Sequence, residues 1–128
     1  MTAPTDYAAL LTLANAVATT YEPNKVPPTR PLTFAVLHAG TATPTAWARR
    51  VDGNNRRRTT VHRIVCVGNT SAAARRLANA MTDAIDGTPH DRAPWLVVYV
   101  SEPLEDRGDG SNITWSSTVE IHHHTSRS

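Results

Sequence analysis

Between Arg63 and Gly87 the chain reads "RIVCVGNTSAAARRLANAMTDAIDG", and within it the hydrophobic period changes from two to about 3.6. This change constrains the fold more tightly than any other stretch. Thr59 to Val67 reads as a strand with Val61, Val65 and Val67 on one side and Ile64 and Cys66 on the other. Apolar residues on both faces predict a central strand, covered on both sides or lying at an interface. Thr70 to Asp86 reads as a helix with an apolar stripe of Ala73, Leu77, Ala80, Met81, Ala84 and Ile85. Arg75, Arg76, Asn79 and Asp83 take the remaining positions. Gly68 permits the turn, Asn69 or Thr70 can cap the helix, Gly87 suits a left-handed C-cap, and Pro89 bars continuation. Strand, glycine and helix start also raise phosphate binding. A Walker loop needs a second glycine and a following Lys, and a dinucleotide fingerprint needs three glycines. Gly68 stands alone and no Lys follows, so the stretch reads as a turn and cap.

The remaining elements fall around this unit. A first helix is expected from Thr5 or Asp6 to Tyr21, either of the first two residues capping it. Tyr7, Leu10, Leu11, Ala14, Val17, Ala18 and Tyr21 form one face. The prolines of "EPNKVPPTRP" end it. Leu32 to His38 is a short strand, and residues 39–58 form an extended loop or projecting hairpin with turn chemistry at Asp52-Gly53-Asn54-Asn55. Trp95 to Ser101 is a further strand, and "EDRGDGSN" is a tight polar connection. Ile113 to His124 alternates cleanly. Ile113, Trp115, Ser117, Val119 and Ile121 share one face, and Thr114, Ser116, Thr118, Glu120 and His122 share the other. Residues 125–128 read as a tail. The expected architecture is a single α+β domain over 1–128. It has a four-stranded, mainly antiparallel or mixed sheet and two helices packed on it. Whether the strand after the second helix returns parallel or antiparallel stays open.

At 128 residues the chain has room for one modest core. Hydrophobic content of 40% and charged content of 19% do not point to disorder. No apolar run approaches a membrane span, and the first residues lack the basic start of a secretory signal. Cys66 is the only cysteine, which excludes an internal disulfide and fits a reducing cytoplasm. Its place in an apolar strand makes it a buried small hydrophobe rather than a reactive thiolate. Lys25 is the only lysine among 13 basic residues, a bias that GC-rich coding produces.

Three groups of side chains could carry chemistry. In "EIHHHT", His122 and His124 project from one strand face beside Glu120. Two imidazoles at that spacing can bind one zinc ion, which needs a third protein ligand. His62 or His38 would supply it only by accident of the fold, so an exposed or interfacial triplet is the simpler reading. Glu102, Glu105, Asp106 and Asp109 are carboxylates in a solvated loop, and no nucleophile elbow accompanies them. The segment "TAWARRVDGNNRRR" sets Trp47, Arg49, Arg50, Arg56, Arg57 and Arg58 close together. Such a segment can neutralise phosphates and stack bases, dock an acidic protein surface, or remain a solvated loop. No enzyme activity or cofactor is expected.

The order of parts resembles the tail terminator, or tail completion, proteins of long-tailed siphophages. A helix ("DYAALLTLANAVATTY") precedes a Pro-rich entry to a strand ("PPTRPLTFAVLH") and a long variable loop. Then come the strand-turn-helix ending in "DG", a strand with a polar acidic loop ("SEPLEDRGDG"), and a terminal strand with an early aromatic ("ITWSSTVEIHHHT"). The strand-turn-helix carries most of the likeness, which covers about Asp6 to Thr125. It implies a virion structural role: a hexameric ring on the tail tube that stops tube growth and meets a head-side connector or stopper protein. Phage DNA would pass through the ring, and assembly would take place in the host cytoplasm. The expected contact residues are Trp47, Arg49, Arg50, Arg56, Arg57, Arg58, Arg75, Arg76, Glu120, His122 and His124. Other head-tail neck proteins, and a small basic nucleic-acid-binding domain, are the alternative readings. The basic character of Thr45 to Arg58 departs from the family pattern and leaves open what that loop faces.

Overall fold

The computed structural model describes residues 5–27, 31–40, 42–44, 57–90, 93–106 and 113–126. Its elements are α1 (Thr5–Val17), β1 (Thr20–Tyr21), β2 (Phe34–His38), β3 (Ala42–Pro44), β4 (Arg57–Gly68) and α2 (Ser71–Ile85), followed by β5 (Pro89–His90), β6 (Ala93–Val100), β7 (Leu104–Asp106) and β8 (Thr114–Ser126). The fold is α+β, with both helices contributing to one core beside the sheet. Among the described residues the sheet has eight strands rather than four, in the order β1-β2-β4-β8-β6-β5, with β3 added to β4 and β7 to β8. The additional strands are two or three residues long. Such lengths carry no readable alternation, which is why the sequence pattern passes over them.

The frame of the sheet is the antiparallel pair of β4 and β8, which stay in register from Arg57↔Ser126 to Gly68↔Trp115. β6 pairs antiparallel with the other side of β8. β4 and β6 therefore run parallel, linked through α2, with β8 inserted between them. Of the two returns left open by the sequence, β6 takes the parallel one, and β8 pairs antiparallel with both strands.

The first helix stops four residues short of the expected Tyr21. Its start at Thr5 also puts Thr5 and Asp6 inside the first turn rather than before it. The Asn15 side chain accepts the Thr20 amide at 3.0 Å, and the β-branched Thr20 then enters β1 instead of another turn. Thr20 and Tyr21 pair parallel with Ala35 and Val36, and the Tyr21 ring meets Phe34 edge-on at 5.8 Å.

At α2 the Thr70 hydroxyl caps the helix by accepting the Ala73 amide at 3.0 Å, leaving Asn69 uninvolved in that bond. Gly68 has a different role from the one expected. It ends β4 without a left-handed backbone, and a Cβ there would lie 2.8 Å from the Ala74 nitrogen. It supplies room for the helix start. Gly87 does take the left-handed conformation, at φ 84°, and donates its amide to the Trp95 carbonyl at 2.7 Å. The buried stripe of α2 is Ala74, Leu77, Ala78, Met81 and Ile85, while Ala80 is exposed and Ala73 half-buried. Alanines at adjacent positions give no signal of which way the helix is turned, so the large residues set the stripe.

Leu10 and Ala14 of α1, Leu77, Ala78, Met81 and Ile85 of α2, and Ala35, Leu37, Ile64, Cys66, Trp95, Val119 and Ile121 of the sheet form one core. Ala35 opposes Cys66, Leu37 opposes Ile64 and Ile64 opposes Val119 across β2, β4 and β8, with Ile121 on the same face. This inner face is the one that the helices cover. Cys66 is fully buried, and burial pushes its thiol up to about 12, which excludes a reactive thiolate at neutral pH.

A candidate interaction surface on the outer sheet face

Alternation along β4 and β8 sends the other set of side chains to the opposite, outer face. Val36 of β2, Val61, Arg63 and Val65 of β4, and Thr118, Glu120 and His122 of β8 lie there; Arg63 is exposed and the others are half-buried. Ladder partners set their spacing: Val36 opposes Val65, Arg63 opposes Glu120, and Val61 opposes His122. The result is an aliphatic strip beside a row of charged and imidazole groups.

Glu120 is the centre of that row. One of its oxygens lies 3.5 Å from Arg63 Nε, and the other accepts from His122 Nε2 at 2.8 Å. The His122 and His124 rings sit 6.1 Å apart, and Thr59 Oγ1 lies 2.9 Å from His124 Nδ1. Glu120, His122 and His124 thus come together on one face, as their spacing predicts. His62 cannot join them in a metal site, because it pairs with Ile121 and points into the core. Among the described residues no group of three potential ligands is arranged to hold a metal ion.

The other expected contact residues are dispersed. Trp47, Arg49, Arg50 and Arg56 lie outside the described residues. Arg57 and Arg58 begin β4, opposite Ser126 and Thr125, and β3 pairs with β4 from Thr60 to Arg58. β3 and β4 pair antiparallel, and residues 45–56, most of the expected loop or hairpin, lie outside the described residues. Arg75 and Arg76 are exposed on α2, with Arg75 bound to Glu102 at 2.9 Å. The helix arginines and the β8 histidines do not form one site.

Two residues that matter were not singled out from sequence. Arg63 faces outward between Val61 and Val65, and only the ladder register reveals its match to Glu120. His123 lies between two outward histidines but is fully buried, and its Nε2 donates to the His90 carbonyl at 2.7 Å. Its ring centroid is 4.6 Å from that of Trp95, which stacks on His90 at 5.0 Å and meets His62 edge-on at 5.9 Å. The alternation that puts Ser117, Val119 and Ile121 inside also carries His123 there, and this signal was present in the sequence. Gly40 fixes the neighbouring edge by donating its amide to His62 Nδ1 at 3.1 Å.

A second exposed region lies where β6 and β7 flank β8. β6 breaks register between Val97 and Tyr99. Val98 is 49%, Tyr99 60% and Leu104 65% exposed, and Glu102, Glu105 and Asp106 surround them in sequence. Exposed apolar groups bordered by charge are a recurrent mark of interaction surfaces. No helix among the described residues is long and apolar enough to cross a membrane.

No protein-family model and no curated protein sequence matches the chain. Among solved structures, the chain is similar to one from the virion of a native gene transfer agent particle, with a TM-score of 0.51 and 19% identity. The match covers 91% of this chain and 84% of that one, so the two share a fold across nearly their whole lengths.

Proposed function

We propose that this chain is a structural virion protein that forms a hexameric ring capping a phage tail tube. The ring ends tube polymerisation and joins the tail to a head-side connector or stopper protein, with DNA passing through its opening. The role is structural rather than catalytic, needs no cofactor, and places the protein at the head-tail junction. The observation that carries this reading is the fold shared along 91% of the chain with a virion component of a gene transfer agent particle. The order of elements, which resembles tail terminators, points the same way. So does the arrangement of surfaces: the helices cover the inner sheet face, leaving the outer strip and the β6–β7 region for other chains. A ring subunit needs two unlike side surfaces as well as contacts above and below.

The test is co-expression with the tail tube protein from the same tail cluster, followed by negative-stain electron microscopy. Tubes of uniform length that end in a sixfold ring are expected, and tubes lengthen without limit when the chain is omitted. Uncapped tubes in its presence would overturn the reading.

A further inference from the structure

We propose that two copies of this chain pair through their outer sheet faces, about a two-fold axis that runs along the β4–β8 ribbon between its strands. The inference goes beyond the ring-forming reading and does not depend on it. It starts from one row of ladder partners. His38 opposes Arg63, Arg63 opposes Glu120, and Glu120 opposes Tyr99, so the four residues cross the outer face in line from β2 to β6. His38 and Arg63 are exposed, Tyr99 is 60% exposed, and Glu120 is half-buried.

The row is self-complementary. A two-fold along the ribbon reverses its order in the second copy and keeps its level along the strands. Arg63 of each copy then lies over Glu120 of the other, and His38 lies over Tyr99. A two-fold across the strands through the same row would instead set Arg63 over Arg63, so the charges select the axis. Arg63 meets its own Glu120 through Nε at 3.5 Å, and its side chain is 58% exposed. Its terminal nitrogens are further donors, and each carboxylate oxygen has more than one lone pair, so a second copy makes an alternating quartet of charges. Val36 and Val65 oppose each other in the next row and place aliphatic surface beside it. The helices cover the inner face, and stacked sheets lie about 10 Å apart, a layer that side chains of these sizes fill. The contact is isologous and closes at two copies, whereas a ring needs heterologous contacts.

Sedimentation velocity of the full-length chain across a dilution series reads the pairing, and far-UV circular dichroism checks that each variant is folded. The wild-type chain is expected to move from dimer to monomer on dilution. R63E and E120R should each lose about tenfold or more in association constant, since like charges then face each other. Their equimolar mixture should recover it, because both cross-copy contacts again join opposite charges. If a reversal unfolds the chain, R63Q and E120Q replace it, each expected to weaken pairing by several fold. A short bismaleimide should link an H38C copy to a Y99C copy, whose positions face each other across sheets about 10 Å apart. Either variant alone should stay unlinked, since like positions then lie at opposite edges of the face and Cys66 is buried.

A chain that is monomeric throughout, charge variants that pair like wild type, a mixture no better than its parts, or no cross-link between H38C and Y99C would overturn the contact. Any of these leaves the virion reading intact. Uncapped tubes beside a dimer that meets these tests would overturn the ring and keep the pair.

Discussion

The Asp86 carboxylate accepts the amide of Val97 at 2.9 Å, at the residue where β6 breaks register with β8. Asp86 is also the C-cap residue of α2. One side chain thus ties the helix end to the outer edge of β6. It also occupies an edge amide that would otherwise be open to another strand. Asp86→Ala is expected to cost about 1 kcal/mol through the lost bond. Its clearer effect is faster aggregation on warming, read by light scattering alongside the melt. Asp86→Asn keeps an acceptor oxygen and should fall between the two.

Glycine-to-alanine substitutions should rank by the space each site leaves. At Gly40 a Cβ would lie 1.3 Å from the Val61 carbonyl oxygen, so backbone must move, at a cost of about 3 kcal/mol or more. At Gly68 the nearest atom is 2.8 Å away, and a cost of roughly 1–3 kcal/mol is expected. Gly87 has open space but a φ of 84°, which costs an L-residue about 1–2 kcal/mol. Urea unfolding of the three variants gives the order directly.

Thr70→Ala removes the acceptor for the Ala73 amide and should cost about 1 kcal/mol, whereas Thr70→Ser should cost little. Equal losses from the two would mean that the hydroxyl is not the cap.

Cys66 links stability to alkaline pH. Its thiol is held up near 12 in the folded chain, against an ordinary value of 9.0. Between those values the unfolded chain has lost this proton and the folded chain keeps it. Unfolding is then favoured as pH rises, so the contribution is complete below about pH 9 and declines above it. Cys66→Ala should flatten the pH dependence of unfolding between pH 9 and 11. A thiol reagent should label the wild-type chain only on unfolding.

Trp95 is fully buried and contacts the rings of His62, His90 and His123. Trp95→Ala should cost about 3–5 kcal/mol, the range for emptying a large aromatic site. Trp95→Phe should cost less and keep the fold, as judged by circular dichroism and the melting temperature.

Long periodic segments were legible in the sequence, and pairing was not. The alternation from Ser117 to His122 separated inside from outside correctly, whereas Ile113, expected on the inner face, is exposed; Thr70 and Gly87 marked the two ends of α2. The expected helix over Thr20 and Tyr21 failed because a parallel partner in β2, fifteen residues away, decides their conformation. The insertion of β8 between β4 and β6 is a matter of which edges meet, and no local pattern encodes it. The candidate surface followed the same division. Glu120, His122 and His124 could be grouped by spacing alone, but Arg63 needed the register.

The place of β8 has a consequence for how the chain comes to exist. Every strand it joins, on either side, is translated before it. Until Thr114–Ser126 has left the ribosome, β4 and β6 have no shared partner, and one hydrogen-bonding edge of each stays open to solvent. Strand insertion is then the step that closes the sheet, and it joins residues as far apart in sequence as Arg57 and Ser126. Folding of this kind is slow beside local helix formation and exposes unpaired edges while it waits. The ribbon that gives the finished subunit its rigidity is thus also its last event, and nascent chains in a crowded assembly pool would be most vulnerable just before it.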